Sequence, residues 1–174
     1  MKKIFGFLLV VMLLAAVPAG AANGKVGVID LQKVLRTSAA GQSAQKSIAA
    51  KAKSFQNTMQ SRQTALKKLN DDFEKQKMVL SKEAIAEKER DLQQKVKDFQ
   101  RFGKDAQEEL QQEDRQATSR ILDEVAKVVK DFGVKGGYDV IIEKSTTLYT
   151  ADSVDLTDEV AKAYDKKFAQ TKGK

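Results

Sequence analysis

IAAKAKSFQNTMQSRQTALKKLNDDFEKQKMVL at residues 48–80 and IAEKERDLQQKVKDFQRFGKDAQEELQQEDRQA at residues 85–117 decide the fold, because in apolar pattern the second is the first run backwards. In the first, Ile48, Ala52, Phe55, Met59, Leu66, Leu69, Phe73 and Leu80 recur at steps of four and three, interrupted at Arg62 and Gln76. In the second, Ile85, Leu92, Val96, Phe99, Ala106, Leu110 and Ala117 do the same, interrupted at Glu89, Gly103 and Glu113. Folded on itself, the chain sets Leu80 against Ile85, Phe73 against Leu92, Leu69 against Val96 and Leu66 against Phe99. Met59 then faces Ala106, Phe55 faces Leu110 and Ile48 faces Ala117. The pattern predicts an antiparallel coiled-coil hairpin with a tight tip near residues 81–84. A slender two-helix arm has little room for a catalytic pocket; it is built to reach or enclose something.

The outgoing helix is expected over 42–80, which at about 1.5 Å per residue spans roughly 57 Å. Ser81 is placed to cap the returning helix, with Glu83 in its first turn. The mirror sets Glu124 opposite Gly41, so Val125, Val128 and Phe132 run past the arm. The four-residue steps Ala117, Ile121, Val125 form a stutter that rotates the apolar stripe onto a separate head. Along the arm the seam is thin. Gln76 meets Glu89, and Arg62 meets Gly103, a helical glycine that costs about 1 kcal/mol relative to alanine. Arg62 and Gly103 are therefore the hinge candidates.

The chain ends build the head. Residues 25–30 predict a strand, with Asp30 capping a short helix that carries Leu31, Val34 and Leu35, and a break at 37–41. Gly133, Gly136 and Gly137 end the returning helix. Residues 138–143 predict a second strand and 148–151 a third. Thr157 is the expected N-cap of a last helix whose buried stripe is Val160, Ala163, Tyr164 and Phe168. The expected fold class is α+β: a discontinuous head (25–40 and 125–172) with a helical hairpin arm (42–124) inserted between its parts. Three short strands leave two open edges. Association of several copies is the expected remedy, with Val26, Val28, Val140, Ile142 and Leu148 as oligomerisation candidates.

At the start of the chain, Lys2 and Lys3 precede an apolar run of about 14 residues, short of the ~20 that span a bilayer. Pro18 and Ala19-Gly20-Ala21 follow. This predicts a cleaved secretory signal at 1–21 and an exported protein. Pro18 is the single proline, which suits long uninterrupted helices. The chain has no His and no Cys, so His-based triads, thiol nucleophiles and the usual zinc ligands are excluded. It also lacks a Walker A or G-x-G-x-x-G sequence. No enzyme activity, metal or cofactor is expected.

The formal charge is +7, unevenly placed. No acidic residue lies between Leu31 and Asn70, whereas 105–124 is mostly acidic. Interhelical pairing accounts for part of this pattern. The remaining excess suits anionic partners, with Lys46, Lys51, Lys53, Lys67, Lys68, Lys75, Lys77 and Lys82 as candidates for client or anionic-surface binding. Nucleic acid is disfavoured, because no aromatic platform interleaves with these lysines.

Lys25-Val-Gly-Val-Ile-Asp-Leu-Gln-Lys-Val-Leu35, Gly137-Tyr-Asp-Val-Ile-Ile142, Leu148-Tyr149 and Asp155-Leu-Thr-Asp-Glu-Val160, in that order around the hairpin, resemble the Skp/OmpH family of periplasmic chaperones. The resemblance covers essentially the whole chain after the signal. It implies a homotrimer with a small β-rich trimerisation head and three helical tentacles around a cavity. It further implies an ATP-independent holdase that keeps unfolded outer-membrane β-barrel proteins from aggregating on their way through the periplasm. Contact with anionic lipid or lipopolysaccharide is also implied, without specific residues. The other reading that the residues allow is an envelope structural or adaptor protein that uses the hairpin as a spacer.

Overall fold

The computed structural model describes residues 24–172; the expected signal at 1–21 lies outside them. The elements run β1 (Val26–Ile29), α1 (Leu31–Thr37), α2 (Ala39–Gln76), α3 (Lys82–Gly136), β2 (Val140–Glu143) and α4 (Thr157–Lys172). Short 3-10 turns at Lys144–Thr146 and Asp152–Val154 lie between β2 and α4. Helices α2 and α3 form the antiparallel hairpin that the mirrored pattern demands.

Capping chemistry sets most of the helix ends. The Asp30 carboxylate accepts from the Lys33 N–H at 2.7 Å and starts α1. The expected break at 37–41 is a single residue, Ser38. Its N–H donates to the Val34 carbonyl, closing α1, while its hydroxyl accepts from the Gly41 N–H and opens α2. Asp165 of α4 also accepts from the Ala39 N–H at 2.8 Å, tying the last helix to the root of the arm. At the far end α2 stops at Gln76, short of the expected Leu80, and the chain turns through Lys77, Met78 and Val79. Ser81 then caps α3, accepting from the Ala84 N–H. Gly137 ends α3 at φ 62°, the left-handed conformation that glycine adopts without strain. The Tyr138 N–H reaches back to Gly133 and the Gly137 N–H to Val134, a Schellman closure.

The core lies in the head. Ile29 of β1, Val34 of α1, Ala40 of α2, Ile121, Val125 and Val128 of α3, and Val160 and Tyr164 of α4 are buried together with Leu156. The stutter thus carries the α3 stripe off the seam and into this cluster. Each fully buried Val or Leu contributes about 1.5–3 kcal/mol. Beyond the root of the arm, Phe73 and Ala106 are its buried apolar residues among those described, so the hairpin is slender. Tyr164 is 1% exposed and donates its hydroxyl to Glu124 at 2.7 Å. Burial and that carboxylate push its phenol well above its ordinary range.

The sheet is smaller than expected. β1 and β2 pair in parallel, Val26 with Val140 through Ile29 with Glu143. The predicted third strand at 148–151 is absent; β1 gains instead a single bridge from Val28 to Asp155. After β2 the Glu143 carboxylate accepts from the Ser145 N–H and Thr146 donates to the Glu143 carbonyl. These bonds turn the chain out of the sheet, and within the described residues no strand stands beside it for 148–151 to join.

Thr157 is the first residue of α4 rather than its cap, and Asp155 satisfies the Thr157 N–H. The Asp155 carboxylate accepts from that N–H at 3.0 Å and from the Thr157 hydroxyl, and pairs with Lys144 at 2.6 Å. The Thr157 oxygen in turn accepts from the Asp30 N–H at 2.9 Å, linking both ends of the head. Lys144, followed by the Thr157 bonds, lowers the Asp155 pKa to about 2. A carboxylate depressed on folding stabilises the head above its unfolded pKa near 3.8, and that stabilisation fades as pH falls toward 2. With partial exposure discounted, the effect is about 1–2 kcal/mol. Denaturation between about pH 5 and pH 2 should show Asp155→Asn losing less stability than the parent by that amount. Equal losses would remove Asp155 from the acid response.

Candidate functional site

The head and the arm each present a surface without an internal partner. On the head, Val26, Val140 and Ile142 are exposed at 41%, 45% and 38%, and the side chains of Leu148 and Tyr149 stand clear of the protein. Val28 differs from the other oligomerisation candidates: it is buried, flanked by Ile142 on β2 and by the bridge to Asp155. The outer edge of β2 has no strand beside it among the described residues. The oligomerisation candidates read from the sequence include Leu148 but not Tyr149 beside it.

On the arm, the basic and acidic stretches pair less than their sequence suggests. Lys51 meets Glu109 and Glu113 of α3, and these carboxylates raise its pKa. Lys77 lies 3.7 Å from Glu89 and 5.3 Å from the Phe73 ring centroid. Lys46, Lys53, Lys67, Lys68, Lys75 and Lys82 are exposed, and none of them meets a carboxylate among the described residues. Lys51 is thus an interhelical clamp, while these six remain free to meet a partner. The tip adds two apolar side chains that sequence reasoning placed inside a helix: Met78 and Val79 are 95% and 85% exposed.

At mid-arm, the space beside Gly103 is taken by Met59. A β-carbon built on Gly103 would lie 3.3 Å from the Met59 methyl. Arg62, set opposite that glycine by the mirror, lies 4.0 Å from the ring centroid of Phe102. Phe102 also stacks edge-on against Phe55 at 5.9 Å. The apolar pattern omits Phe102 because it falls between the repeating positions; its size lets it reach the seam.

The comparisons with known proteins fit this architecture. The sequence profile of the family described as outer membrane protein (OmpH-like) matches residues 25–164. The chain belongs to the OmpH-like family. The OmpH-like chain is 26% identical over 160 residues to a Skp-like protein of Pseudomonas aeruginosa, covering 92% of this chain and 95% of that protein. Its fold is similar to the solved structure of an OmpH-like protein of Caulobacter crescentus CB15, described as an outer membrane chaperone. The TM-score is 0.79 at 20% identity, over 85% of this chain and 88% of the other. Gly27, Asp30, Gly137 and Thr157 lie inside the span matched by the OmpH-like profile, as does the whole arm.

Proposed function

We propose that this OmpH-like protein is a periplasmic chaperone, an ATP-independent holdase that binds unfolded outer-membrane β-barrel proteins and keeps them from aggregating. The observation that carries this reading is a long arm on which six exposed lysines meet no carboxylate among the described residues, mounted on a head with an uncovered apolar face. Family membership and the Skp-like relative support it. In this reading residues 1–21 are removed on export, 25–40 with 125–172 form the assembly unit, and 42–124 form the client-facing unit. Homotrimeric heads joined through Val26, Val140, Ile142 and Leu148 set three arms around one space. Lys46, Lys53, Lys67, Lys68, Lys75 and Lys82 offer many weak contacts to acidic stretches of client or to anionic lipid. Lys51 and Lys77 contribute less, since each already has a carboxylate.

The test is whether the purified mature protein, without nucleotide, suppresses aggregation of a urea-unfolded outer-membrane barrel. Suppression should weaken as salt rises from about 50 mM to about 0.5 M, because exposed charge contacts are screened. Salt-independent suppression removes the electrostatic part of the reading. No suppression at any salt removes the holdase and leaves the hairpin as a spacer.

The arm must also adapt to clients of different size. Gly103 with Arg62 is the proposed soft joint. Gly103→Ala asks only the flexible Met59 end to yield and should stiffen the helix by about 1 kcal/mol. Slower amide exchange around 99–107 and a reduced capacity for large clients are expected. Unchanged exchange and unchanged capacity would sink the hinge.

A further inference from the structure

Halfway along the arm the seam opens on one side into a groove of about 480 Å³. Half-buried Leu66, Leu69 and Phe99, with Ala65, line it with apolar surface. Arg62 of α2 and Lys95 and Asp98 of α3 supply its charges. These do not cancel. The Asp98 carboxylate already accepts from Gln94 at 3.1 Å and from Arg101 at 2.9 Å on its own helix. Among the described residues Lys95 is exposed and meets no carboxylate, and Arg62 meets only the face of Phe102. An apolar cleft of ligand-site size is therefore left with two unneutralised cations, one on each helix.

We propose that this groove docks an extended segment of unfolded chain in which an apolar or aromatic residue is followed two positions on by an acidic one. In an extended chain, residues i and i+2 share a face about 6.8 Å apart. One can enter the cleft while the other meets Lys95 or Arg62. The proposal rests on the holdase reading and gives it a subsite with a sequence preference. Neither cation was among the lysines singled out for client binding, because the apolar floor between the helices shows only in three dimensions.

The probe is a ten-residue acetylated and amidated peptide containing Phe-x-Glu, titrated into the full mature protein and followed by amide chemical shifts. Shifts at 62–69 and 95–99 are expected. Replacing the peptide glutamate with glutamine should weaken binding about threefold, as for one exposed charge contact. Lys95→Glu should weaken it about tenfold, through loss of attraction plus added repulsion. Lys130→Gln on the head should change nothing. Shifts confined to other residues, an equally tight glutamine peptide, or an unaffected Lys95→Glu protein overturns the proposal. So does decanoate moving these amides when the peptide does not, which would make the groove an amphiphile site. A protein that suppresses barrel aggregation without groove shifts loses this proposal alone. One that shows the shifts but suppresses nothing loses the holdase reading alone.

Discussion

Alanine at Gly41 is expected to destabilise the protein by about 3 kcal/mol or more in chemical denaturation, the upper end for a core overpacked by one methyl. A β-carbon there would lie 1.7 Å from the Leu35 carbonyl oxygen and 2.8 Å from its carbon. Backbone cannot rotate aside as a side-chain end can, so α1 must move off α2. Moving α1 pulls Val34 out of the cluster it shares with Val125 and Val160, and disturbs the Ser38 turn that starts the arm. Gly27 shows the contrast. Its added carbon would collide with Leu156 Cδ1 at 2.3 Å, the movable end of a side chain, so Gly27→Ala should cost less. A loss below about 1 kcal/mol for Gly41→Ala would show that α1 slides freely on α2.

The second large effect is on assembly. Leu148→Asp with Tyr149→Asp should convert the proposed trimer to a folded monomer in sedimentation at micromolar concentration, with barrel-aggregation suppression largely abolished. Both side chains stand clear of their own protein, so helix content and denaturation midpoint of the monomer should change little. Large exposed apolar pairs are uncommon on surfaces with no partner, and two carboxylates at the centre of an apolar contact cost far more than they do in water. Wild-type sedimentation by the double variant would place assembly elsewhere on the head and leave these two residues without a role.

How much was legible in the sequence follows from the range of each signal. The hairpin could be read because its information is local and periodic: every third or fourth apolar residue repeats the same message, and the tip needs only Ser81 to restart the helix. Asp30 and Gly137 were legible for the same reason, since a cap acts within one turn. Residues 148–151 were misread because β-branched and aromatic composition reports fitness for a sheet, whereas a strand also needs a neighbour. Thr157 was misread as a cap because its hydroxyl is engaged outside the helix, donating to Asp155 and accepting from the Asp30 N–H, while its own N–H is already the first donor of α4 and goes to Asp155. Gly41 looked like part of a break, yet it lies inside α2 and is needed for a carbonyl from another helix. The groove between Arg62 and Lys95 could not be read along the chain at all, because its two sides are some thirty residues apart and meet only when the hairpin closes.

The parallel pairing of Val26 with Val140 sets an order of events. Two four-residue strands more than a hundred residues apart cannot find each other cheaply through a random coil, since the closure entropy of so long a loop comes due before any contact repays it. The hairpin removes that obstacle. Turn and cap at the tip bring α2 and α3 together locally, and zippering toward the root shortens the effective loop until β1 and β2 are delivered side by side. The arm is thus the jig on which the head is assembled before it becomes the limb that the head carries. A nascent chain halted inside α3 would hold a partial hairpin and no head, and so could not enter the proposed trimer until its own synthesis was nearly complete.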